Sequence, residues 1–170
     1  VQEMVQKYDS LPKDINWHMI GHLQRNKVKY ITPFVHLIHS VDSYRLLLEI
    51  NKQGIKNKRI INVLVQIDIS DDNTKFGFTY TEFNELIKLN KLKDLKNIKL
   101  KGMMGMASYT SNLSIIEREF NELSNYFTEH KFNLKLDILS MGMSGDYKIA
   151  IKCNSNMIRL GSTIFGTRIK

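Results

Sequence analysis

Short apolar runs alternate with longer amphipathic stretches along almost the whole chain, and this constrains the fold more than any other feature. The apolar runs at 17–20, 36–41, 62–69, 98–106, 137–141 and 157–160 read as strands, and those at 26–32, 43–53, 79–90, 114–130 and 147–152 as helices. Val63-Leu64-Val65 is apolar on both faces, as a parallel strand covered by helices must be. Thr79 with Glu82 and Ser114 with Glu117 carry the spacing of a capping box, which satisfies the first free amides of a helix. Alternation of this kind predicts parallel strands joined by right-handed crossovers, an α/β fold.

The residues that follow the strands are small or polar: Gly21, Asp42, Ser70, Gly105, Gly142 and Gly161. They gather at the C-terminal rim of a parallel sheet, where α/β folds bind ligands. Six strand–helix units do not close an eight-stranded barrel. Either the sheet is open or two units are missing, and the chain begins without methionine in what reads as the middle of a helix, the pattern expected if upstream sequence is absent. A length of 170 residues with 42% apolar side chains predicts one domain over 1–170 with its own core.

Composition narrows the function classes. Lys and Arg number 25 against 17 Asp and Glu, a net charge of +8. The lysines are spread through every segment beside abundant Asn and Ile, and the basic runs lack the interleaved aromatics of a nucleic-acid stacking platform. No nucleic-acid partner is expected. Cys153 is the only cysteine, so no intrachain disulfide or cysteine-rich zinc cluster can form, and a reducing cytoplasm is the expected location. No apolar run approaches the roughly 20 residues that span a bilayer, so no membrane partner is expected.

The last two strand ends carry the sharpest chemical signal. Leu139-Ser140-Met141-Gly142-Met143-Ser144-Gly145-Asp146 and Arg159-Leu160-Gly161-Ser162-Thr163 each combine glycine with hydroxyl side chains and open toward a helix. A phosphate needs close backbone amides, hydroxyl donors and the positive end of a helix dipole, and both loops offer these. The alternative is that these glycines and serines only terminate strands. Arg159 stands between Ile158 and Leu160, where an unpaired guanidinium is costly to bury, so it is expected to face a polar lumen or a ligand. Other residues are better read structurally: His18 and His39 as hydrogen-bonded core histidines, Met103, Met104 and Met106 as packing, Asn26 and Lys27 as rim residues. Asp42 and Asp68 lack a calcium-type loop.

Several motifs together resemble the pyridoxal phosphate homeostasis family. They are Trp17-His18-Met19-Ile20-Gly21-His22-Leu23-Gln24-Arg25-Asn26-Lys27, His39-Ser40-Val41-Asp42, Gln66-Ile67-Asp68-Ile69-Ser70 with Lys75 and Gly77, Gly102-Met103-Met104, and the 140–144 and 159–166 segments, in order from Val1 to about Arg168. The resemblance implies a (β/α)8 TIM-type barrel similar to the N-terminal domain of alanine racemase, of which this chain supplies about six units with the first two strands absent. It implies pyridoxal 5'-phosphate as cofactor, its phosphate on Ser144, Gly161 and Ser162, with Gly142 and Met143 beside them, and its pyridine nitrogen on Arg159. The lysine that forms the Schiff base would lie upstream of Val1; Lys99 and Lys101 do not match that lysine's motif. His22 stands where the family often has another residue. The implied function is intracellular homeostasis of the cofactor by a carrier or buffer, not an enzyme, with PLP-dependent apoenzymes as possible recipients; a monomer is the simpler expectation for a barrel lacking an apolar surface stripe. The competing readings are a PLP-dependent amino-acid enzyme such as a weak alanine racemase, and a phosphate- or nucleic-acid-binding module.

Overall fold

A computed structural model describes residues 1–70 and 76–166; Lys75 and Arg168 of the sequence motifs lie outside the described residues. The chain runs α1 (Gln2–Ser10), β1 (His18–Met19), a 3-10 turn (Arg25–Lys27), α2 (Val28–Ile31), β2 (Leu37–Val41), α3 (Tyr44–Lys56) and β3 (Ile61–Gln66). It continues through α4 (Tyr80–Lys88), a second 3-10 turn (Lys91–Asp94), β4 (Ile98–Met104), α5 (Leu113–Leu134), β5 (Ile138–Met143), α6 (Tyr147–Lys152), β6 (Met157–Arg159) and α7 (Ser162–Phe165). The six strands pair in sequence order and every pairing is parallel. The result is a half-barrel with the helices on its outer face, the α/β class expected from the alternation.

Two apolar clusters hold this arrangement. The larger lies between sheet and helices, where Ile38, Val63, Val65, Met103, Leu139 and Met141 meet Leu46, Ile50, Phe83, Phe120 and Leu123. The smaller lies on the concave face and joins Leu37, Leu64 and Met104 to Met106, Ile138 and Met157. Met103 and Met104 are thus packing residues, as the sequence suggested.

The boundaries depart from expectation where tertiary pairing decides. β1 is two residues long rather than four: Trp17 contributes its carbonyl, which accepts from His36 and Leu37, while Ile20 is exposed. β3 ends at Gln66 rather than Ile69, because the chain then pairs with Phe78 through Ile67 and the Asp68 amide. β4 stops at Met104, two residues early, and β5 runs two residues further, to Met143. The capping box at Thr79 and Glu82 is present in both directions. The one expected at Ser114 and Glu117 is not. Asn112 accepts from the Ser114 amide, so α5 starts at Leu113 and Ser114 already lies inside the helix.

Candidate functional site

Near the C-terminal ends of the strands, β1 and β2 face β5 and β6 across a cavity of about 660 Å³. His18, Ile20 and His39 form one wall. Met143, Ser144, Gly145, Arg159, Gly161 and Ser162 belong to the other, with Met157, Ile158 and Leu160. The apolar cluster of Leu37, Leu64, Ile138 and Met157 forms a floor on the concave face. Two residues further along their strands come His39, Ser140 and Arg159, so side-chain alternation sets a polar layer above an apolar one.

Arg159 is the centre of the polar layer. Its Nη1 donates to the Ser140 carbonyl at 2.9 Å and to Ser140 Oγ at 2.8 Å, and its Nη2 donates to the Gly105 carbonyl at 3.1 Å. A guanidinium has five N–H groups. Those left over are available to the cavity that Arg159 lines. Burial pulls its pKa down to about 10, with Asp146 acting in the opposite direction, so the group stays charged at neutral pH. The guanidinium is thus partnered by the chain itself, as a charge in an apolar strand must be, and the residue lines the cavity.

His39 is almost completely buried and sits between two partners: His18 Nδ1 lies 3.0 Å from its Nε2, and Ser140 Oγ lies 3.1 Å from its Nδ1. Burial first, then the neighbouring His18 and Arg159, pulls its pKa to about 3. Burial and then His36 also lower that of His18, the half-buried member of the pair. His39 is the hydrogen-bonded core histidine of the sequence reading; His18, hydrogen-bonded to it, is only half-buried.

A measurable pH effect follows from His39. Between about 3 and the ordinary histidine value of 6.5 the unfolded chain binds a proton that the folded protein refuses. Stability is therefore full above that window and falls as pH drops through it, at a limiting slope of ~1.4 kcal/mol per pH unit. Urea unfolding between pH 7 and pH 4, roughly the histidine range, should give a shallower loss for His39→Gln than for the unmodified protein. Equal slopes would remove His39 as the cause.

At the far end of the same cavity wall, Ser144 Oγ accepts from the amides of Gly161 at 3.2 Å and Thr163 at 3.3 Å. Two N–H groups thus converge on one hydroxyl oxygen beside the exposed Ser162. An added Cβ on Gly161 would meet no atom of the described residues within 4 Å, so packing among them does not demand glycine there. Gly142 differs. Its φ is +90° and an added Cβ would fall 2.6 Å from the Ala150 Cβ and 2.9 Å from the Tyr147 Cα. Gly142 thus shapes the turn into α6, a packing demand for glycine that stands whatever approaches its backbone. Its neighbour Met143 does line the cavity.

The remaining candidates fall away from this site. Lys99 and Lys101 occupy the first half of β4, and Lys101 pairs with Asp137. Cys153 is buried, and burial raises its thiol pKa. Asp42 pairs with His22 at 3.2 Å, and Asp68 accepts from Ser70. Among the described residues no group of three or more His, Cys, Asp or Glu side chains is arranged to hold a metal ion, and no helix is long and apolar enough to cross a membrane. Two features were missed in the sequence: the Thr163 amide and the Ser140 contact to Arg159 and His39. Only Ser140's place in a glycine-rich strand end hinted at the second.

Residues 3–169 match the family described as alanine racemase, N-terminal domain. The pyridoxal phosphate homeostasis protein of Aquifex aeolicus is 37% identical over 99% of this chain and 74% of its own length; that of Haemophilus influenzae is 35% identical over 98% and 70%. Among solved structures, PipY of Synechococcus elongatus without PLP superposes with a TM-score of 0.90 at 27% identity, covering 97% of this chain and 78% of that one. The PipY structure with PLP bound gives 0.84 at 26% identity, with the same coverage. An alanine racemase of Clostridium difficile shares the fold at a TM-score of 0.73 and 18% identity, over 99% of this chain and 44% of that one. The chain belongs to the pyridoxal phosphate homeostasis protein family, built on the alanine racemase N-terminal domain.

Proposed function

We propose that this chain binds pyridoxal 5'-phosphate and acts in homeostasis of that cofactor as a carrier or buffer. The observation that carries the reading is a single cavity lined by a charged, tightly anchored Arg159 and by Ser144, Gly161 and Ser162, with the Gly161 amide converging on Ser144. The donor set fits the cofactor's two demanding ends. Ser144, the Gly161 backbone and Ser162 hold the phosphate, with Met143 alongside; Arg159 donates to the pyridine nitrogen. Gly142 supports this loop from behind. The names of the homeostasis relatives and the PLP bound in PipY support the assignment.

When bound, pyridoxal phosphate supplies an aldehyde that condenses with amines and a ring that can withdraw electrons. Arg159 works against the second property. A donor that keeps its own proton at neutral pH leaves the pyridine nitrogen unprotonated and the ring a weak electron sink. Holding is thereby favoured over turnover, and PLP-dependent apoenzymes are the natural recipients.

In the same reading the domain is one cytoplasmic, monomeric unit over 1–170, part of a (β/α)8 barrel whose two further strands and Schiff-base lysine precede β1. Among the described residues β1 and β6 are the edge strands of the sheet, both beside the cavity, and this supports the reading.

Calorimetric titration with pyridoxal 5'-phosphate and with pyridoxal tests the binding site. Ser144→Ala is expected to weaken the phosphorylated ligand by roughly tenfold and leave pyridoxal unchanged, the loss of one hydrogen bond to a charged group. An equal effect on both ligands would move the phosphate elsewhere. Sustained conversion of one alanine enantiomer by the pure protein would replace the carrier reading by an enzyme.

A further inference from the structure

The polar layer holds an unbroken series of contacts: Arg159 Nη1 to Ser140 Oγ at 2.8 Å, Ser140 Oγ to His39 Nδ1 at 3.1 Å, and His39 Nε2 to His18 Nδ1 at 3.0 Å. Four side chains from β6, β5, β2 and β1 thus span the cavity from one wall to the other. The protons in such a series can in principle run in either direction.

We propose that Ser140, His39 and His18 form a one-directional hydrogen-bond relay, set by Arg159, that ends in a fixed N–H donor at Nε2 of His18, so the cavity offers donors from both walls. The direction follows from counting hydrogens. Arg159 has no acceptor, so Ser140 Oγ must accept from it. Ser140 is fully buried, and its hydroxyl carries one hydrogen whose other partner among the described residues is His39 Nδ1. Pointing that hydrogen at His39 satisfies every atom. The reverse direction makes Ser140 accept from both neighbours and strands its own hydrogen in a buried place, which is costly. With Nδ1 accepting, neutral His39 carries its proton on Nε2 and donates to His18 Nδ1. His18, also neutral, then carries its proton on Nε2, the ring atom His39 does not engage.

The neutrality this needs is enforced by burial of both rings and by the charge of Arg159 beside His39. Parallel stacking of His18 on His36, with centroids 5.4 Å apart, holds the last ring in orientation. His18, His39 and Ser140 are positioning residues in this arrangement. A ligand gains from it when it carries acceptor atoms on two sides of a ring, a pyridine nitrogen lone pair toward Arg159 and an anionic or carbonyl oxygen toward His18. A ring with a protonated nitrogen or an amino donor in place of the oxygen is discriminated against. This ligand preference rests on the function proposed above; the relay itself does not.

Long-range nitrogen–proton NMR of the histidine side chains in the ligand-free protein tests the relay directly. Both His18 and His39 are expected to be neutral at pH 7.5, a value above the ordinary histidine range, with protonated Nε2 and bare Nδ1. A proton on Nδ1 of either ring overturns the proposal, whatever the protein binds. Ser140→Ala should convert His39 to a mixture of tautomers and weaken pyridoxal 5'-phosphate by roughly tenfold. Retention of the pure Nε2–H form in that variant would also overturn the role of Ser140. Correct tautomers in a protein that ignores pyridoxal 5'-phosphate would sink the binding function while leaving the relay intact.

Discussion

Replacing Arg159 with methionine is expected to lower affinity for pyridoxal 5'-phosphate by roughly one hundredfold, the upper end for losing a charge-assisted hydrogen bond. The side chain is similar in length and apolar, so the cavity stays filled while every donor disappears. Three acceptors lose a donor at once: the Gly105 carbonyl, the Ser140 carbonyl, which keeps the Gly105 amide, and Ser140 Oγ, which keeps its contact with His39. Orphaning buried acceptors costs about 1–3 kcal/mol each where water cannot replace the donor. Water from the adjoining cavity can reach some of them, so a net loss of about 2–3 kcal/mol in urea unfolding is expected.

The two readouts separate Arg159's roles. Arg159→Lys keeps the charge but lacks the planar fork that engages Ser140 and Gly105 together. It is expected to recover part of the stability and little of the affinity. The bound ligand's absorbance reports the ring nitrogen: it should remain that of an unprotonated pyridine in the parent protein. Parent-like affinity in Arg159→Met would remove the arginine from the ligand site and take the holding-over-turnover argument with it.

Arg159 shows what was legible in the sequence and why. A charge inside an apolar strand cannot be explained by solvent, so its need for partners was visible before its partners were. The Ser144 and Gly161 loops were legible for a similar reason: glycine beside hydroxyl residues after a strand is local chemistry. The His39 relay was not. Ser140 lies 101 residues from His39, and only the pairing of β2 through β6 brings them to one layer. Gly142 was ambiguous because a glycine at positive φ and a glycine at a ligand look alike in one dimension; only the structure shows that a Cβ there would run into Ala150 and Tyr147. Ser114 misled, since Asn112 and Ser114 are both good caps and the fold selected the earlier one.

The same distinction gives the largest effect on folding, at Gly102. The β3–β4 register pairs Val63 with Leu100 and Leu64 with Gly102, so Lys101 is the extra residue of a bulge. On its other side Gly102 pairs with Ile138 of β5, and a Cβ there would fall 1.7 Å from the Ile138 carbonyl oxygen. That atom belongs to backbone held in a ladder and has no rotamer to escape into. Gly102→Ala must therefore pull β4 from β5 or shift the register between them. A one-residue slip turns every following side chain of β5 to the opposite face, taking Ser140 away from Arg159 and His39. The expected loss is more than ~4 kcal/mol, in the range reserved for broken core geometry, and a chain of this size has about 5–15 kcal/mol in all. Gly161→Ala is the control: the added methyl meets nothing within 4 Å, and φ there is −119°. Its unfolding free energy in urea should stay within about 0.5 kcal/mol of the parent while affinity for pyridoxal 5'-phosphate falls. If Gly102→Ala unfolds within about 1 kcal/mol of the parent, β4 and β5 do not pair through Gly102 and Ile138. The polar layer would then lose its geometric basis, because Ser140 is placed by that pairing.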